Sequence, residues 1–165
     1  MLFSWHSPEL WRRFTIQLQR ILSRQLRDQA ENPKNTRVSF MKVVELQRRA
    51  LPHFHAVIRL DAASEPGQPP SPPEIRISAG DFAALVRQAA TAIEMTVSGD
   101  KVLRFGDQLD IKIIRCTDTG EGRDAGVSSR LIAAYLAKYV TKSVADFGVL
   151  ARRFSPRRDR PTRRD

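Results

Sequence analysis

With 165 residues, the chain is long enough for one domain with a buried core and short for two. A hydrophobic share of 41% and a charged share of 28% exclude wholesale disorder as the expectation. The net charge of +10 favours polyanionic partners, because each phosphate neutralised by Lys or Arg releases condensed counterions. Part of the excess is local, since residues 151–165 hold seven arginines against two aspartates. A lone cysteine, Cys116, excludes an intrachain disulfide framework and a cysteine-based zinc site, and reads as a small buried hydrophobe. Met1 to Pro8 lack the basic and apolar regions of a signal peptide, and no segment approaches the roughly 20 apolar residues of a membrane span. A soluble, cytoplasmic protein is expected.

Along the chain, Ser7-Pro8-Glu9 reads as a helix start, with Ser7 as N-cap and Pro8 at the first helical position. Leu10, Trp11, Phe14, Leu18, Ile21, Leu22 and Leu26 follow at helical spacing, so an amphipathic helix is expected over 8–29, its arginine face read as solvated with contact to DNA as the alternative. Asn32-Pro33-Lys34-Asn35 breaks the chain. Residues 37–47, rich in Val, Phe and Met, then read as a strand, and 53–60 as its antiparallel partner. Alternation puts Phe54, Ala56, Ile58 and Leu60 on one face of that partner, toward the helices. His53, His55, Val57 and Arg59 fall on the other.

Residues 62–73 contain five of the ten prolines and read as a surface loop. A helix near 80–95 buries Phe82, Leu85, Val86, Ala89 and Ile93. A second hairpin is expected from 101–105 through a Gly106-Asp107 turn to 109–116. Residues 117–128 read as a polar, glycine-bearing loop, and a helix from Ser128 or Ser129 runs to about Phe147-Gly148. The expectation is an α+β domain over residues 1–150, a largely antiparallel sheet flanked by helices, with residues 151–165 a disordered basic tail.

The chemistry-bearing residues fall in two places. In a strand the first and third residues of a triplet share a face, so His53 and His55 converge as a pair of metal ligands. A third ligand is needed. Glu45, on the preceding strand, is the candidate if the hairpin loop has odd length, and Gln47 is the fallback of the same parity. Two imidazoles and a carboxylate suit a divalent cation with positions left for phosphate oxygens. In the later helix, Tyr135, Lys138, Tyr139 and Lys142 stand at i, i+3, i+4 and i+7, one stripe offset from the apolar Ile132, Leu136 and Val140. A phenol of pKa about 10 is a poor nucleophile unless a neighbouring cation favours the phenolate, a role open to a metal ion and to Lys138.

The His-hydrophobe-His strand followed by Tyr-x-x-Lys-Tyr-x-x-Lys resembles the second and third motifs of rolling-circle replication initiators, the HUH endonucleases. Residues 8–15, 42–49, 53–61 and 133–139 are similar, more narrowly, to actinobacterial plasmid replication initiator proteins, and the resemblance spans roughly residues 8–155. It implies a nickase that uses Mg or Mn to cut and rejoin single-stranded or hairpin DNA at a plasmid origin, with a host helicase as a further partner. His53 and His55 carry over as metal ligands, with Glu45 as the third. Tyr139 carries over as the primary nucleophile, Tyr135 as the second and Lys138 as the catalytic lysine. Lys142, Arg48 and Arg49 are implied as contacts to DNA. The family's first motif, a strand before the first helix, has no counterpart here, so the first strand is expected to be missing and the domain shortened at both ends. Rival readings are a relaxase or transposase of the same superfamily, a non-catalytic DNA-binding module, and a small metal-binding structural domain.

Overall fold

The structure, a computed structural model, describes residues 2–46, 51–65, 67–114 and 133–138. Its first element is a helix, α1, over Leu2–Asp28, which begins well over a turn before the start that the cap signals predict. Pro8 therefore lies inside the helix, where it has no N–H for the carbonyl of Ser4. The Ser7 hydroxyl donates to that carbonyl at 3.0 Å, so the acceptor that proline strands is satisfied by its neighbour. Ser7 is thus a buried bridge inside the helix and not its N-cap. The helix stops where Ala30 turns left-handed (φ 60°) and the Glu31 N–H reaches back to the Leu26 carbonyl at 2.9 Å.

One face of α1 is fully buried. Leu10, Leu18, Leu22 and Leu26 are all inaccessible, with Trp11 and Phe14 beside them. They pack with Leu85, Val86, Ala89, Ala90, Ile93 and Met95 into the core. At roughly 1.5–3 kcal/mol for each fully buried leucine, this stripe anchors the domain.

Strands β1 (Thr36–Leu46) and β2 (Pro52–Ala62) form an antiparallel hairpin, paired from Thr36 opposite Ala62 to Leu46 opposite Pro52. The expected alternation holds for Phe54, Ile58 and Leu60, which with Val38 from β1 pack against the core, while Ala56 of the same parity is exposed. Aromatic rings make the joint with α1. Trp11 lies 5.2 Å from Phe40 and 5.7 Å from Phe54, and Phe105 closes on Phe14 and Phe54 at 6.0 and 5.8 Å. Such pairs contribute about 0.5–1.5 kcal/mol each beyond the area they bury. Lys42 points to this same side, its Nζ 5.0 Å from the Trp11 ring centre and 5.2 Å from that of Phe54. Desolvation there lowers its pKa.

The next helix, α2, spans Ala79–Thr91 and begins with a capping box. Ser78 Oγ accepts from the Asp81 N–H at 3.1 Å, and the Asp81 carboxylate accepts from the Ser78 N–H at 3.4 Å. The helix ends earlier than its apolar spacing predicts, because Glu94–Val97 forms strand β3. Its partner β4 is Lys101–Arg104, so the expected second hairpin is corrected. The strand from 101 is present, but it pairs backward across Ser98-Gly99-Asp100. Gly99 (φ 77°) and Asp100 (φ 56°) supply the left-handed backbone that a tight turn needs. Residues 109–114 are not a strand.

Residues 133–138 are helical (α3). The α+β class holds, with antiparallel pairs packed on helices. Among the described residues, the antiparallel structure is two separate two-stranded sheets, β1–β2 and β3–β4. Also among them, no helix is long and apolar enough to cross a membrane.

Two outcomes follow from this packing. Leu22→Ala should cost about 2–5 kcal/mol in urea unfolding, the usual penalty for a cavity in a closed core. Glu9 accepts hydrogen bonds from Arg12 and Arg13 at 2.7–2.9 Å, and these hold its carboxyl at about 2, below the ordinary 4.5. A depressed folded pKa adds stability above the unfolded value, lost as pH falls through the folded one. The melting temperatures of wild type and Glu9→Gln should therefore differ near neutral pH and converge as pH falls from about 4.5 to about 2.

Candidate metal centre and tyrosine face

The hairpin register decides the parity that spacing alone leaves open. Glu45 is directly opposite His53, and Val43 directly opposite His55. Residues opposite one another share a face, so Glu45 joins both histidines on the side turned away from α1. One ligand atom from each of Glu45, His53 and His55 can be chosen so that all lie within 4.8 Å of one another. The Glu45 carboxylate is buried, and its Oε2 lies 3.0 Å from His55 Nε2. The two imidazole centroids are 5.1 Å apart, with His55 half-buried and His53 exposed.

This donor set fits a divalent cation. A buried carboxylate needs a cationic or hydrogen-bonding partner, two imidazoles supply nitrogen donors of the kind such ions take, and the exposed His53 side leaves access for a ligand. Two nitrogens and one oxygen suit first-row ions such as Mn, while Mg prefers oxygen.

Of the tyrosine stripe, Tyr135 and Lys138 lie within the described part of α3. The Tyr135 ring stands edge-on to His55 with centroids 6.1 Å apart, and it is half exposed. Leu136 beside it is buried. The offset between the tyrosine and apolar stripes is thus seen here: Leu136 turns inward while Tyr135 meets the histidine face. Lys138 is exposed on the same helix. Tyr139, Lys142, Arg48, Arg49, Gln47 and Cys116 lie outside the described residues.

Two further cations of the hairpin matter, one on each face. Arg59, opposite Ser39, adds an exposed guanidinium on the histidine face, roughly 13 Å along the strand from His55 at 3.3 Å per residue. It is held by the buried Asp61 carboxylate at 3.0 Å. Its parity with the histidines is the signal that finds it. Lys42 shares parity with Phe40 and Val44, which would have placed it toward the helices.

His55→Ala should abolish stabilisation by Mn²⁺. Wild type should gain about 2.7 kcal/mol at a hundredfold excess of metal over Kd, read as a rise in melting temperature. A variant that keeps the full rise removes His55 from the ligand set.

The family model described as the replication initiator protein of pSAM2 matches residues 1–164 of this chain. A replication initiator protein from Streptomyces ambofaciens is 36% identical over 158 residues, covering 93% of this chain and 34% of that protein. The chain therefore spans about a third of the length of the curated relative it matches. No solved structure matches it.

Proposed function

The chain belongs to the family of pSAM2 replication initiator proteins, and from that premise we propose that it initiates plasmid replication by nicking and rejoining origin DNA. The mechanism is that of a rolling-circle initiator of the HUH endonuclease superfamily, acting on single-stranded or hairpin DNA in the cytoplasm and handing the opened origin to a host helicase. The catalytic domain is residues 1–150, with 151–165 a basic tail. One observation carries the reading: a Glu-His-His cluster assembled on one sheet face with a tyrosine ring against it.

Glu45, His53 and His55 would hold a Mg or Mn ion, which when bound polarises the scissile phosphate and offsets the charge that develops on its oxygens. The buried Glu45 carboxylate lies 3.0 Å from His55 Nε2, so two of the three residues that would hold the ion are already side by side. Tyr139, four residues after Tyr135 in sequence, is the primary nucleophile. Its Oη forms a bond to phosphorus while the bond from phosphorus to the leaving sugar oxygen breaks, and that oxygen takes up a proton as a free hydroxyl. The phosphodiester energy is kept in the phosphotyrosine link, so rejoining runs the same exchange in reverse without ATP. Lys138 favours the phenolate, and Tyr135 serves the second transfer. Lys142, Arg48 and Arg49 hold the flanking phosphates.

Covalent capture tests the proposal. The protein is incubated with origin-bearing single-stranded DNA and Mn²⁺, denatured, and searched by mass spectrometry for nucleotide-linked tyrosine. An adduct is expected, lost more completely in Tyr139→Phe than in Tyr135→Phe; the reverse order would exchange the two roles. A folded, metal-binding protein that forms no adduct on its origin would instead be a non-catalytic DNA-binding module.

A further inference from the structure

The outer side of α1 carries a charge pattern that neither the core nor the metal face uses. Arg20, Arg24 and Arg27 stand at i, i+4 and i+7, so they line one stripe, and all three are exposed. The stripe covers about 10 Å of helix at 1.5 Å per residue. Among the described residues, no carboxylate lies within ion-pair distance of any of the three. The start of the same helix is built differently: there Glu9 pairs with both Arg12 and Arg13.

A face kept only for solubility is ordinarily laced with opposite charges, because like charges at i, i+4 destabilise a helix. The macrodipole accounts for Arg27, which is in the last turn, but it does not reach Arg20. Asp28, exposed at i+4 from Arg24, makes no ion pair with it, so three guanidiniums on a rigid rod stay available to a polyanion with regularly spaced charge.

We propose that the Arg20–Arg24–Arg27 stripe binds the phosphate backbone of duplex DNA, as a sequence-independent contact separate from the metal face. The inference rests on the DNA-directed function proposed above, and it adds a second DNA surface to it. Each strand of a duplex presents a phosphate about every 3.4 Å of axis, so a stripe of this length faces about three. Single strands are held by aromatic stacking platforms as well as charge, and α1 has no aromatic residue after Phe14. An acidic membrane would need the apolar face of the helix, but Leu10, Leu18, Leu22 and Leu26 are fully committed to the core. The stripe lies on the far side of α1 from that core, and the histidines lie on the far side of the β1–β2 hairpin. The protein would therefore grip duplex DNA on one side of the domain and act on a single strand on the other.

The test is a salt titration of binding by the full chain. Affinity for a short duplex of arbitrary sequence is measured by fluorescence anisotropy, for wild type and for Arg20→Gln, Arg24→Gln and Arg27→Gln combined. A matched variant, Lys101→Gln, Arg104→Gln and Lys112→Gln, removes three exposed cations elsewhere. The stripe variant should flatten the log K against log salt slope by about 2.7, at 0.9 per lost phosphate contact. The matched variant should leave the slope as in wild type. An unchanged slope in the stripe variant overturns the proposal. So does an equal loss in both variants, or stripe-dependent binding to phosphatidylserine vesicles with none to duplex. An unaltered circular dichroism spectrum and Mn²⁺ thermal shift show that the stripe variant is folded. Because the readout is duplex binding, failure to form a tyrosine adduct would count against the nicking reading and leave this one standing.

Discussion

Everything at the candidate site depends on the register of one hairpin. A strand alternates faces with period two, so a slip of one residue between β1 and β2 would move Glu45 to the helix side and leave the histidines without a carboxylate. What holds the register is the opposite face. Phe54, Ile58 and Val38 are committed to the core, and Trp11 is wedged against Phe40 and Phe54. Any slip that removes Glu45 from the histidine face would also expose those rings. The candidate metal face is positioned by hydrophobic packing on its reverse side.

The same logic explains the place of α1. Its leucine stripe fills the core, and its aromatic end seats the hairpin, so one helix both closes the domain and orients the site. Lys42 is the exception on the packed face, a cation over two rings with its pKa lowered by desolvation. Its ammonium lies over the two rings, whose negative faces make a charge tolerable there.

The proposed chemistry and the proposed grip lie on different faces of the domain. A cation-binding cluster needs held, oriented side chains, and Glu45 is buried with His55 half-buried beside it. Backbone binding needs only exposed charge on a stiff frame, which α1 supplies at little cost to the core. Membership of a replication initiator family is the premise from which both proposals proceed, and the chain covers about a third of its curated relative.

Much of this was legible in the residues. Period two in 53–60 determined which residues of β2 face the core, and period 3.6 determined the buried stripes of α1 and α2, because burial repeats with backbone geometry. The His-x-His pair needed no tertiary information to be seen. Ser7-Pro8 misled as a helix start because proline is as regular at a first turn as it is tolerable inside a helix when a hydroxyl satisfies the stranded carbonyl. The partner of Lys101–Arg104 was misplaced because Met95-Thr96-Val97 continues the apolar pattern of the preceding helix, and only the left-handed Gly99-Asp100 turn ends the ambiguity. The side on which Glu45 lies and the approach of Tyr135 to His55 were decided by tertiary structure. Both depend on how separate elements meet across space, and a local repeat in the chain carries no record of that meeting.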